Sequence, residues 1–150
     1  MTKALEPKEN LIRRAAKADG MKIITLSPEQ LNGYEVDVEH NKPFLFLIND
    51  HSENFRYVSG YPVSTLTGRL LSLQTSEFEM DEAQQIAVYE KCYDILFKLF
   101  SRVYNELITA FPAEGDATVT YRIEPIYQYT GKRFAGALSS FTIESYVVAC

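Results

Sequence analysis

The longest unbroken pattern in the chain runs from Asp81 to Phe111, without Gly or Pro. Apolar positions recur there with the 3.6-residue period of an amphipathic helix, and Asp81 followed by Gln84 is typical of a helix start. On a helical projection the apolar arc spans roughly 200°, whereas a surface helix needs a stripe of about 100° or more. One sheet face cannot cover that arc. The pattern therefore predicts one long central helix that also contacts another helix, a neighbouring subunit, or both.

Strand-like sequence precedes this helix, at Met21–Leu26, Tyr34–Val38, Phe44–Ile48, Phe55–Ser59 and Tyr61–Gln74. Phe44–Ile48 is continuously apolar, which is typical of a strand buried on both faces and predicts a central position. Asn49–Asn54 is polar and predicts a turn. Pro62 and Gly68 indicate a bend or bulge and make a regular central strand less favourable there.

The N-terminal region predicts a short helix at residues 7–18. Pro7 suits its first turn, an apolar stripe follows, and Gly20 is placed to end it. Basic residues, including Lys8, are dense in this region, and we interpret them as a solvated helix face. Ser27–Gln30 has a capping-box pattern, which predicts a further helix of one or two turns before Gly33.

The C-terminal third predicts a long β-hairpin. Alternating residues around Val119–Glu124 form the first strand, and the return strand runs from Phe134 to Val147. Gln128–Arg133 is the predicted turn, in which Gly131 can take positive φ. The whole chain, residues 1–150, is thus predicted to be a single α+β domain. Its mainly antiparallel sheet packs on the long helix, with a short N-terminal helix and a long C-terminal hairpin.

Composition narrows the class of protein. Apolar residues make up 46% of the 150, as in ordinary globular proteins, and the net charge is −5. That charge argues against a large nucleic-acid footprint, and we expect no specific nucleic-acid partner. Two cysteines do not make a disulfide framework. The N-terminus lacks an apolar signal core, and no run is long enough to span a membrane, so we expect synthesis in a cytoplasm and no membrane partner.

Residues with catalytic chemistry are few. Asp50, His51 and Ser52 are adjacent, but their side chains point different ways, which favours a surface turn over a triad. His40 and His51 alone make a weak metal pair. Cys92 falls in the apolar arc and is expected to be an inert core thiol. The sequence therefore predicts no enzyme activity, no cofactor and no metal site.

Three segments carry a resemblance to a known family: PVSTLTGRLLSLQT, the helical VYEKCYDILFKLF, and the hairpin strand RFAGALSSFTIES. Together they resemble the small neck and tail proteins of tailed phages, of the tail-terminator and head–tail joining type. The return strand of that group follows an F-x-G-x-x-x-x-F-x-I pattern, matched here by Phe134, Gly136, Phe141 and Ile143. The similarity covers residues 43–148. It implies a virion ring subunit, often hexameric, without a cofactor, encoded by a phage or a bacterial prophage.

A ring subunit must bury one flank against its neighbour and contact other virion proteins. Candidate interface residues lie on the helix arc and at the hairpin tip: Tyr93, Phe97, Tyr104, Tyr129, Lys132 and Arg133. We expect Tyr129 to be an aromatic anchor with the two cations at the rim. The alternative function is a small α+β bacterial enzyme or ligand-binding domain with a pocket between helix and sheet. The wide apolar arc favours the structural function.

Overall fold

The structure, a computed structural model, describes residues 6–27, 41–127 and 133–147. The elements in chain order are α1 Glu9–Ala18, β1 Ile23–Leu26, β2 Pro43–Ile48, β3 Ser52–Val58, β4 Tyr61–Thr75, α2 Glu82–Ala110, β5 Ala117–Ile126 and β6 Phe134–Tyr146. The predicted α+β class and its long central helix are confirmed. The predicted helix after Ser27, the strand Tyr34–Val38 and most of the Gln128–Arg133 turn lie outside the described residues.

The described strands form one mixed sheet, with the order β1-β2-β4-β6-β5. On the side of β4 opposite β6, β2 pairs with the second half of β4 and β3 pairs with the first half. The pairing is antiparallel everywhere except between β1 and β2, which run parallel. Among the described strands, β2, β4 and β6 are therefore hydrogen-bonded on two sides, whereas β1, β3 and β5 each pair with one strand.

The central position of β4 corrects the prediction made from Pro62 and Gly68. This strand is 15 residues long and pairs with β6 from Val63 to Thr75. The irregularity lies instead in the neighbouring segment that joins β2 to β3. Its residues 48–51 face only residues 68 and 69 of β4, between the regular β2–β4 and β3–β4 ladders. A Cβ on Gly68 would lie 2.8 Å from the His51 Cβ, so glycine provides the room for this bulge.

The polar turn predicted at Asn49–Asn54 is shorter than expected. β3 already begins at Ser52, so the turn ends before the second half of that segment. Polar side chains are tolerated in this strand because most of it is exposed to solvent. The polar composition of Ser52–Asn54 therefore led to the wrong prediction of a turn at residues that belong to β3.

Helix α2 begins as its sequence predicts. The Asp81 Oδ1 accepts a hydrogen bond from the Gln84 backbone N–H at 2.8 Å, and the Gln84 Oε1 accepts one from the Asp81 N–H at 2.9 Å. This capping box satisfies two donors that a helix start leaves unpaired. The helix then packs on β4, β5 and β6 and against α1. It therefore fixes the position of every side chain along its outer surface.

The core lies between the helices and one face of the sheet. Leu96, Phe100 and Val103 are fully buried, as predicted. Leu11, Ile12, Ala15 and Ala16 bury the α1 stripe against the same cluster. A second apolar cluster, on the opposite face, contains Leu26, Phe46, Ile48 and Leu71. Since Leu45 and Leu47 face the helices, β2 is buried on both sides, and its predicted interior position is confirmed.

Candidate functional site: apolar surfaces for assembly

The outer flank of α2 carries a row of exposed apolar side chains. Ile86, Tyr93, Phe97 and Tyr104 keep between 39% and 47% of their surface exposed, and we call them the α2 stripe. Their spacings of seven, four and seven residues put them on one line along the helix. At about 1.5 Å per residue, the stripe is roughly 27 Å long. Three of the predicted interface residues thus lie together on one accessible line.

The α2 stripe borders the β5 edge of the sheet. Directly beneath it, the ring of Phe100 stacks on Tyr121 of β5. At its N-terminal end, Tyr89 contacts Tyr93 at 6.0 Å and Tyr127 at 5.9 Å between ring centroids. Edge-to-face packing of this kind holds aromatic rings in defined positions. The exposed rings are therefore supported by ordered neighbours on the same flank.

The predicted hairpin-tip residues are described only in part. Arg133 is exposed, and its carbonyl accepts a hydrogen bond from the Ser76 N–H at 2.7 Å. That bond ties the base of the hairpin to the segment before α2. Tyr129 and Lys132 lie outside the described residues, so their interface role stays a prediction.

A second exposed aromatic group, which the sequence analysis missed, lies on the β3–β4 hairpin. Phe55, Tyr57 and Tyr61 are 57%, 75% and 66% exposed. A two-residue turn joins the strands, with Ser59 at φ 52° and Gly60 at φ 84°, the positive values that tight hairpins require. The sequence does carry a signal for this group. Phe55 and Tyr57 lie among polar residues in β3, and such surroundings predict that the strand is exposed to solvent.

The adjacent Asp50, His51 and Ser52 engage three separate partners. The Asp50 Oδ2 lies 2.6 Å from Arg69 Nη2, and Ser52 Oγ lies 3.4 Å from Thr67 Oγ1. The His51 Nε2 lies 3.3 Å from Glu9 Oε2. The side chains therefore do not converge on one reacting atom. His40 lies outside the described residues.

Lys8 differs from the predicted solvated lysine, because it is 2% exposed. Its Nζ donates to Ser64 Oγ at 2.6 Å and to the Ser145 carbonyl at 3.2 Å, and burial lowers its pKa from 10.5 to about 8. A serine beside a lysine of lowered pKa is the chemistry of a Ser–Lys dyad. Ser64 is fully buried, however, which leaves a substrate no path to its hydroxyl. The pair instead anchors the start of α1 to β4 and β6.

Cys92 is fully buried in the core, as predicted, and burial raises the pKa of its thiol. The thiolate, which is the reactive form, is thereby disfavoured. Within residues 6–27, 41–127 and 133–147, no three potential metal ligands of the His, Cys, Asp or Glu type come together.

Several surface depressions lie among the described residues, including an apolar one of about 410 Å³ beside Phe111 and Tyr146. Two others contain basic side chains. One, of about 260 Å³, lies between α2 and the end of β4, and among its described lining residues only Lys91 is charged. Lys91 Nζ donates to Gln74 Oε1 at 3.0 Å. The other, of about 400 Å³, includes Arg69 and Arg122. Both guanidinium groups are already paired with carboxylates, which lowers their availability to an anion.

In the part of the chain that the structure describes, no helix has both the length and the apolar character needed to cross a membrane. No protein-family model matches the chain, and no curated protein matches it.

Proposed function

We propose that the chain is a non-enzymatic structural subunit of a tailed-phage or prophage virion. It acts as a tail-terminator-like ring subunit at the head–tail or tail-end junction. The observation that carries this proposal is the α2 stripe, which leaves four large apolar side chains exposed on the longest helix. Aligned apolar surface of this kind typically marks a protein–protein contact.

The character of the stripe supports an interface that forms after folding. Tyr93 and Tyr104 combine apolar rings with hydroxyl groups, so they tolerate water in the free subunit and bury well in a complex. Charged residues flank the stripe, including an Asp94–Lys98 pair at 2.8 Å. An apolar centre with a polar rim is the usual anatomy of a reversible contact. The hairpin-tip residues Tyr129, Lys132 and Arg133 are proposed to extend the same interface.

The test is the composition and assembly of virions. We expect the protein in purified particles and its gene between capsid and tail genes. Deletion of the gene should abolish infectious particles, and the wild-type gene should restore them. The double variant Tyr93→Ser with Phe97→Ser should fail to restore them. Phe78→Ser, which changes a still more exposed aromatic residue outside the stripe, should succeed. Absence of the protein from particles would overturn the proposal.

A ligand-binding or enzymatic domain is the second candidate. The depression between α2 and β4 favours it, because Lys91 and the buried Gln74 present polar groups there. Its volume lies just below the ~300 Å³ lower end of typical small-molecule pockets. A thermal-shift screen of metabolites, repeated on Lys91→Met, tests this candidate. A ligand that stabilises the wild-type protein but not the variant would favour it over the virion function.

A further inference from the structure

We infer that neighbouring copies of this chain join edge to edge, with β3 of one copy pairing with β5 of the next into a continuous sheet. The partner is therefore a second copy of the chain. This inference rests on the proposed ring function and names the contact that builds the ring. The pairing of β3 and β5, their strand directions and the exposed aromatic residues near them support it.

Both strands have a side without a partner among the described strands. β3 pairs only with β4 there, and β5 pairs only with β6. They lie on opposite sides of the sheet, since β4 and β6 separate them. An edge strand presents a row of N–H and C=O groups that is ready to pair with another chain. A head-to-tail contact needs two different surfaces on opposite flanks, and the two edges satisfy that requirement.

The strand directions also fit. Each step from β3 to β4, from β4 to β6 and from β6 to β5 is antiparallel, so β3 and β5 run in opposite directions. Rotation about a ring axis along the strands preserves these directions. β3 of one copy therefore meets β5 of the next as an antiparallel pair, with the helices of both copies on the same side. Antiparallel ladders have well-aligned hydrogen bonds.

The exposed aromatic residues lie where this pairing would cover them. Phe55 and Tyr57 are opposite Ser64 and Pro62, and side chains opposite one another share a face of the sheet. That face is the helix-covered one, because Leu66 of the same alternating set belongs to the core under α2. Phe55 and Tyr57 therefore point toward the helix layer, beyond the edge of their own core.

One contact then brings Phe55 and Tyr57 next to the α2 stripe. A neighbour's β3 would lie about 4.8 Å outside β5. Its Phe55 and Tyr57 would rise beside the flank of α2 that carries Tyr93, Phe97 and Tyr104. The two edges are thus matched in strand direction and in the face that carries their exposed apolar side chains.

Mixed disulfide formation tests this contact with full-length protein. In a Cys150→Ser background, Asn54→Cys places a thiol on β3, and separate proteins carry one thiol on β5: Thr118→Cys, Thr120→Cys, Arg122→Cys or Glu124→Cys. Cys92 is buried and stays in place. Each protein is oxidised alone and in a mixture with the β3 variant at high concentration. Thr142→Cys, on the paired strand β6, is the matched control.

We expect a mixed disulfide dimer with at least one β5 position, little homodimer of the Asn54→Cys protein alone, and no mixed product with Thr142→Cys. Phe55→Lys, added to the β3 variant, should abolish the mixed product, whereas Phe78→Lys should leave it. Absence of mixed product at all four β5 positions would overturn edge pairing, even for protein found in virions. Mixed product from a protein absent from virions would instead keep edge pairing and remove the virion function.

Discussion

The ring of Phe100 stacks on the ring of Tyr121 with centroids 4.6 Å apart and planes 19° from parallel. Phe100 belongs to α2 and Tyr121 to β5, so this contact joins the long helix to the edge strand of the sheet. Phe141 of β6 approaches the same ring at 5.5 Å. The position of α2, and hence of its exposed stripe, depends on this group of rings.

Phe100→Ala should lower the free energy of unfolding by about 3–5 kcal/mol, because a fully buried ring is lost and a cavity remains. Denaturant unfolding measures this change. Phe97→Ala is the matched control, since it removes the same side chain from an exposed position one turn away, and it should cost far less. A cost below about 0.5 kcal/mol for Phe100→Ala would contradict its place in the core.

Gly136→Ala should destabilise the protein by about 1–3 kcal/mol, as overpacking does. An added Cβ would overlap the Ser72 carbonyl oxygen and lie 2.9 Å from Leu73 Cδ2, on the adjacent strand β4. Ser140→Ala, at an exposed position of the same strand, should change stability by less than about 0.5 kcal/mol. Equal stabilities of the two variants would show that β4 and β6 are not so closely apposed.

Asp81→Ala should cost about 1 kcal/mol, because it removes the side chain that caps the first turn of α2. Amide hydrogen exchange in the first turn of α2 should then be faster than in the wild-type protein, whereas exchange in the middle of the helix should change less. Glu79→Ala, which removes a nearby carboxylate that precedes the cap, is the control. If both variants retain wild-type exchange, the capping box contributes no stability.

The charge of Lys8 makes stability depend on pH. Burial lowers its pKa from the ordinary 10.5 to about 8 in the folded protein, with Glu53 and Glu144 acting in the opposite direction. The unfolded chain therefore binds the proton of the Lys8 ammonium group more tightly than the folded protein does. The free energy of unfolding consequently rises with pH between about 8 and 10.5. Relative to Lys8→Met, the wild-type protein should gain roughly 1.4 kcal/mol per unit of pKa difference. A pH-independent difference between the two proteins would contradict the burial of the ammonium group.

The double variant Tyr129→Ala with Lys132→Glu tests the hairpin tip. We expect folded protein that no longer supports particle assembly, because the aromatic anchor and one rim cation are gone. Far-UV circular dichroism checks the fold, and complementation of a deletion measures assembly. Lys42→Glu, an equal charge change at an exposed position outside the hairpin, is the control. Normal particles from the folded hairpin variant would remove the tip from the interface.

Local patterns predicted what local forces determine. The start of α2 follows from Asp81 and Gln84, which are three residues apart and bond each other. The double-sided burial of β2 follows from its continuous apolar run. The wide arc of α2 was also visible. Projection alone did not divide it into a buried part and an exposed stripe, because the sheet that makes the division is assembled from distant segments.

Long-range contacts account for the errors. Lys8 is buried because Ser64 and Ser145, far along the chain, accept its hydrogen bonds. Pro62 and Gly68 predicted a bend or bulge in their own strand, but the bulge lies in the neighbouring segment near His51. The edge aromatics Phe55 and Tyr57 were read only as strand residues. Among the described strands β3 pairs with β4 on one side only, and this edge position is a property of strand order and not of sequence period.

The pairing of β4 with β6 also sets the order of events in synthesis. Leu70 and Ser139 are neighbours in the sheet, although their positions differ by 69 in the sequence and α2 and β5 lie between them. Before β6 is synthesised, β4 lacks one neighbouring strand and β5 lacks the strand it pairs with. Part of the sheet surface on which α2 packs is also missing. Such non-local closure slows folding and leaves apolar surface open on the growing chain. The complete sheet therefore forms only after β6 has been made, so a chain still in synthesis cannot reach the final fold.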